Sequence, residues 1–216
     1  MIKKILISCI VIFGLYYIFF FSHIAEKWSL IFKIIPMILI ILLAAIQKVP
    51  PIKKYQLLII VGLIFCMIGD YTLQWFLVGL SSFLIGHIFY IFAFLSTNER
   101  TLPTWGKITL LLYGAIMATW IATTVFSSGE IVLTFAVLAY ISVILMMGWT
   151  SIRTGSTLAL IGALLFISSD SYLAINKFVL PLPYSHEGIM FTYYSAQLLI
   201  ALSIHQYVEY RNKMLQ

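Results

Sequence analysis

Charge is what this chain has least of. Of its 216 residues only 9% are charged, and only seven are acidic. A soluble domain carries about 25% charged residues. With 62% hydrophobic residues, a chain this short cannot hide its apolar surface from water, so its solvent is a bilayer. Cysteine is nearly absent as well. Cys9 and Cys66 both fall in apolar runs, which excludes a disulfide framework and a CxxC metal site. The stretch "SSDS" has no G-x-S-x-G turn around it, and no phosphate loop or dinucleotide fingerprint occurs, so nothing marks a serine hydrolase or a nucleotide enzyme. The net charge of +6 is too thinly spread for a nucleic-acid surface, and it reads instead as membrane orientation.

What the chain has in abundance is long apolar runs. A span needs roughly 20 mostly apolar residues. Cutting at polar and proline-bearing breaks predicts eight spans, at 5–22, 28–47, 56–76, 80–96, 106–126, 130–150, 156–177 and 187–208. The breaks are short, so residues 1–216 read as one all-α domain, a polytopic bundle of eight transmembrane helices. The start, "MIKKILISCIVIF", imitates a signal peptide, but no A-x-A site follows and the run continues, so it reads as a retained first helix. Ten cations (Lys3, Lys4, Lys48, Lys53, Lys54, Arg100, Lys107, Arg153, Arg211 and Lys213) fall on the N-terminal side, against Lys27 and Lys177 on the other. That bias predicts a cell-membrane protein with both termini cytoplasmic, and loops at 23–27, 77–79, 127–129 and 178–186 outside. At an offset of 100 positions, Leu58/Leu158, Gly62/Gly162, Asp70/Asp170, Leu73/Leu173 and Leu80/Leu180 coincide. This is the pattern that a parallel four-helix repeat would leave.

Against this background the isolated ionisable residues stand out. Asp70 and Asp170 each lie in an apolar run with no adjacent cation. An Asp at the centre of a span costs about 2.5–3.5 kcal/mol on insertion scales, so such residues are functional candidates. With the predicted spans, Asp70, Asp170, Lys33 and His87 all fall about 8–10 Å from the outer edge, with Glu187 opening helix eight on the same side. Each has a bland alternative: an Asp could bond a neighbouring hydroxyl, Lys33 could snorkel outward, His87 could be a packed interior histidine, and Glu187 suits a first helical turn. The common layer is what points to a site. Like charges in low dielectric cannot both ionise easily, so a carboxylate pair shares a proton and offers an acid and a base together. The expectation is that Asp70 and Asp170 are catalytic and face one cavity between helices three and seven. Lys33, His87, Tyr90, Tyr140, Asn176, Tyr194 and Gln197 are the expected substrate-binding groups. Helical spacing puts Phe83, His87, Tyr90 and Phe94 on one face, groups Tyr193, Tyr194 and Gln197, and aligns Asp170, Leu173 and Lys177.

The ordered set "FKIIPM", "IGDYTL", "GHIFY", "LAY" at 138–140, "GALLFISSDSYLAINKF" and "YYSAQLLI" resembles the landmarks of the YhhN-type lysoplasmalogenases over about residues 30–200. One departure is that two isoleucines separate Lys33 from Pro36, where family members commonly have proline directly after the lysine. The resemblance implies an eight-helix membrane hydrolase acting on a lysophospholipid. It would cleave the vinyl ether bond of lysoplasmalogens to a fatty aldehyde and a glycerophospho-alcohol, with no cofactor and no metal. The residues suit that chemistry. A vinyl ether hydrolyses by protonation of its β-carbon, which needs a protonated carboxylic acid, and a carboxylate to stabilise the cation and activate water, as in glycosidases. Two other classes use the same residues: a proton- or ion-coupled transporter built on the Asp pair, and a zinc lipid hydrolase using His23, His87 and His186 with one Asp.

Overall fold

The computed structural model describes residues 1–20, 25–47, 53–97 and 104–214, excluding the side chains of residues 26, 27, 104, 105, 107 and 209–214. His23, Lys48 and Arg100 lie outside the described residues. Among the described residues eight helices follow one another: α1 (Ile2–Phe20), α2 (Glu26–Ala45), α3 (Lys53–Thr72), α4 (Phe76–Leu95), α5 (Thr104–Ser127), α6 (Ile131–Arg153), α7 (Thr157–Phe178) and α8 (Ser185–Met214). Among the described residues there is no strand. Hydrocarbon offers no partner to a backbone amide, so apolar runs of this length satisfy their own hydrogen bonds as helices. Seven of them, α1 to α7, are long and apolar enough to cross a membrane. α8 is longer and more polar, and carries Glu187 in its first turn.

The helix ends have local causes. At the α6–α7 corner Gly155 adopts φ +68°, a left-handed helix stop that suits glycine. The Ser156 hydroxyl then accepts the Ala159 N–H at 3.1 Å, capping α7. The α3–α4 corner differs from expectation. α3 stops at Thr72 rather than 76 and α4 begins at Phe76, so the connection is 73–75, not 77–79. The Trp75 carbonyl already accepts from Gly79 N at 3.1 Å, which commits 76–79 to the first turn of α4. Asp70 therefore sits in the last turn of α3. Inside α2, Pro36 removes one helical donor.

Packing repeats with a four-helix offset. α1 packs on α2 as α5 does on α6, α2 on α3 as α6 on α7, and α3 on α4 as α7 on α8; crosswise, α2 meets α8 and α4 meets α6. Small residues let the tightest pairs approach. At Gly62 an added Cβ would lie 2.4 Å from the Tyr90 ring and 3.1 Å from the Gly86 carbonyl, and at Gly162 it would lie 3.0 Å from the Ala196 carbonyl. α3 and α7 share no broad face; both instead pack on α8. Large apolar side chains such as Ile12, Phe19, Leu111, Leu112, Ile116 and Phe135 point outward, as lipid contact requires.

Replacing Gly162 by Val should separate α7 from α8, because its Cβ meets the backbone of α8, which cannot rotate away. Overpacking of this kind costs about 1–3 kcal/mol. Thermal unfolding in detergent should show a lowered midpoint. Gly14→Ala, whose nearest neighbour would be 3.6 Å away, should leave the midpoint unchanged.

Candidate active site

Asp70 lies where α2, α3 and α8 meet. Its Oδ1 is 3.3 Å from Lys33 Nζ, with side-chain exposures of 3% for Asp70 and 13% for Lys33. Tyr193 donates its hydroxyl to Asp70 Oδ2 at 2.6 Å. Lys33 Nζ also donates to the Asp70 carbonyl oxygen at 3.3 Å. The lysine thus turns inward to its carboxylate rather than snorkelling. The neighbouring residue of α8, Tyr194, rotated about 100° from Tyr193, donates to the Lys33 carbonyl at 2.8 Å. That bond joins α8 to α2 three residues before Pro36, where the helical ladder is interrupted.

Asp170 lies on the other side of α8's partner helix α7, and its surroundings differ. Tyr140 of α6 donates its hydroxyl to Asp170 Oδ2. Among the described residues the ion pair is Lys33–Asp70, so Asp170 has no cationic partner. Asp170 is half-buried and opens on a groove between α5, α6 and α7, whose lining also includes Leu73, Phe76, Leu80 and Phe83. The rest of the lining is nearly all aliphatic or aromatic; besides Tyr140, the other polar groups are Tyr113 and Ser171, bonded to each other at 2.5 Å.

Asp70 does not line this groove, so the groove is not the single cavity between helices three and seven that the sequence led one to expect. The physical reason is that α3 and α7 share no broad face, while Lys33 of α2 and Tyr193 of α8 hold the Asp70 carboxylate between their own helices. The two carboxylates are linked through aromatic rings. Tyr193, on Asp70, meets the Phe166 ring edge-on at 5.5 Å. Phe166 meets the His87 ring at 4.5 Å. His87 meets the Tyr140 ring at 5.4 Å, and Tyr140 holds Asp170. His87 is fully buried, and neither of its ring nitrogens has a hydrogen-bond partner. A buried polar group without a partner is costly, so His87 is available to a substrate atom or a water. Tyr90 donates to Gln197 Oε1 at 2.6 Å, joining α4 to α8 beside this row.

Asn176 stands apart from this row. Its Oδ1 accepts the Leu182 N–H at 2.8 Å, holding the α7–α8 connection, and it is not on the groove lining. Tyr193 and Phe166 were not singled out as site residues from the sequence. The available signal was Tyr193's position four residues before Gln197, which places the two on one face of α8. No three His, Cys, Asp or Glu side chains among the described residues form a group that could hold a metal ion.

With this geometry in view, comparison with known proteins decides the family. The YhhN family profile matches residues 28–204. The chain belongs to the YhhN family. Curated relatives include lysoplasmalogenase TMEM86A of Bos taurus, 37% identical over 160 residues. The human TMEM86A protein is 35% identical over 171 residues. A lysoplasmalogenase of Mycobacterium tuberculosis is 27% identical over 169 residues, covering 74% of this chain and 65% of that protein. The two TMEM86A matches cover 67% of this chain and 64% of each relative's length. No solved structure matches the chain.

In this YhhN chain, breaking the Lys33–Asp70 pair should be expensive. Removing one partner of a buried pair costs about 3–5 kcal/mol, because the other charge is left uncompensated. Lys33→Met should therefore lower the unfolding midpoint sharply. Lys33→Met combined with Asp70→Asn should recover part of the loss, giving a non-additive double-mutant cycle in detergent unfolding.

Proposed function

We propose that this chain is a lysoplasmalogenase: a membrane enzyme that hydrolyses the vinyl ether bond of a lysoplasmalogen to a fatty aldehyde and a glycerophospho-alcohol. The observation that carries the reading is the apolar groove ending on a carboxyl group that has no cation beside it. The names of the relatives, lysoplasmalogenases of mammals and of a mycobacterium, support it. A multi-pass protein in a membrane has direct access to such a lipid, and the cation bias supports a cell-membrane protein of eight spans with cytoplasmic termini. The repeated packing pattern supports descent from a parallel four-helix repeat.

The two carboxyl groups divide the work by their surroundings. An unpaired carboxylate against hydrocarbon is expensive, so Asp170 carries the proton and acts as the acid. Asp70, beside an ammonium, is the carboxylate. Asp170 protonates the β-carbon of the vinyl ether, and the double-bond electrons form the new C–H bond. The α-carbon and its ether oxygen then share the positive charge, which the newly formed Asp170 carboxylate stabilises. Water adds to the α-carbon and loses a proton to Asp170, restoring the acid. The resulting hemiacetal loses its glycerol oxygen as an alcohol and leaves the aldehyde. Tyr140 orients Asp170 through its hydroxyl. The Lys33–Asp70–Tyr193 cluster sets the field at the other end of the aromatic row.

Purified protein should release aldehyde from a lysoplasmalogen and none from the saturated ether analogue. Asp170→Asn should reduce the rate about 10²–10⁴-fold, the range for a general acid–base group, while the bundle stays folded, because neutral Asn is tolerated in lipid better than a charge. Asp70→Asn should also lose most activity. A rate within tenfold of the parent for Asp170→Asn would argue against its role as the acid. Coupled ion flux in liposomes without any aldehyde would favour a transporter instead.

A further inference from the structure

Lys177 is the cation that the site so far leaves without a role. It lies in the last turn of α7, seven residues beyond Asp170. Seven residues are nearly two full turns, so the two side chains share one face, about 10 Å apart along the helix. Between them Leu173 and Ala174 line the groove, and Phe178 follows. The Lys177 ammonium sits 4.5 Å from the centre of the Phe76 ring. Phe76 is itself part of the groove lining and packs edge-on against Phe178 at 5.4 Å. A cation over an aromatic face is held there by the ring's quadrupole. The ammonium is thereby held over Phe76, beside the groove lining, exposed and, among the described residues, with no carboxylate within ion-pair distance. Lys33 is already neutralised by Asp70. An anionic group entering with its chain in the groove meets Lys177.

We propose that Lys177 is the head-group site of this chain: it binds the phosphodiester of a single-chain glycerophospholipid whose hydrocarbon chain lies in the α5–α6–α7 groove. The proposal rests on the hydrolase reading for the identity of the reacting bond, and the spacing fits it. In a 1-alkenyl glycerophospholipid seven bonds separate the vinylic β-carbon from phosphorus, about 9 Å when extended at ordinary bond lengths. A β-carbon at Asp170 therefore leaves the phosphate level with Lys177. The acid on α7 and the cation on the same helix form a two-point gauge, one glycerophosphate long. The gauge selects lipids with a phosphate over neutral alkenylglycerols, and it sets which carbon of the chain meets Asp170.

The test uses full-length protein in detergent and a saturated, unhydrolysable probe, a 1-O-alkyl lysophospholipid, beside the matching 1-O-alkylglycerol. Binding is read by thermophoresis. The parent protein should bind the phosphate-bearing probe at least tenfold more tightly than the neutral one. Lys177→Gln should abolish that difference with unchanged affinity for the alkylglycerol, and Lys177→Arg should retain it. The proposal is overturned by a head-group preference that survives in Lys177→Gln, or by a parent protein without any preference. It is equally overturned if a diacyl phospholipid competes as well as the single-chain probe, since Lys177 would then touch bulk lipid only. Aldehyde release is scored separately. Lys177-dependent binding without aldehyde from a lysoplasmalogen would sink the hydrolase reading and leave the head-group site standing.

Discussion

The Lys33–Asp70 ion pair is the interaction around which the bundle is arranged. Neither charge is tolerable alone in hydrocarbon, and together they demand that α2, α3 and α8 converge. The convergence is enforced twice over by adjacent tyrosines of α8. Tyr193 bonds the carboxylate, and Tyr194 bonds the lysine's own carbonyl. Because α8 also packs along α7, the position of the first carboxyl group constrains the second. Gly162 makes that α7–α8 contact close enough to transmit the constraint.

The two carboxyl groups have the same residue type and the same kind of tyrosine partner, yet opposite electrostatic settings. One is buried and paired with an ammonium; the other is half-buried, has no cationic partner among the described residues and opens on the groove. The Lys33–Asp70 pair lies away from the groove lining, and the Asp170 carboxyl group lies on it. The aromatic row of Tyr193, Phe166, His87 and Tyr140 fills the space between them. Tyr193 and Tyr140 give their hydroxyls to the two carboxyl groups, whereas the buried ring nitrogens of His87 have no hydrogen-bond partner.

Much of this was legible in the chain. Scarcity of charge and long apolar runs dictate a helical membrane bundle, because only helices satisfy their backbones in lipid over such lengths. The cost of burying carboxylates singled out Asp70 and Asp170, and helical spacing brought Tyr194, Gln197, Tyr90 and His87 into view. The 100-residue offset of Gly62 and Gly162 marked two helix pairs that do pack closely.

What the chain could not express is how helices sit beside one another. Periodicity gives each residue a face but not the neighbour that face meets. Two tyrosines in succession look interchangeable until α8 is docked, when one reaches Asp70 and the other Lys33. Asn176 looked like a site residue by sequence proximity, but its amide oxygen is taken by the Leu182 N–H, a contact set by the path of the α7–α8 connection. The partners that α2 and α8 supply, Lys33 and Tyr193, hold Asp70 away from the groove. The groove itself exists only because α5, α6 and α7 leave space beside Asp170. Composition and local spacing are set by the solvent and the helix, and these the sequence alone determined. Which carboxyl group receives the cation and which opens on the groove is set by long-range packing, and that only the tertiary structure decided.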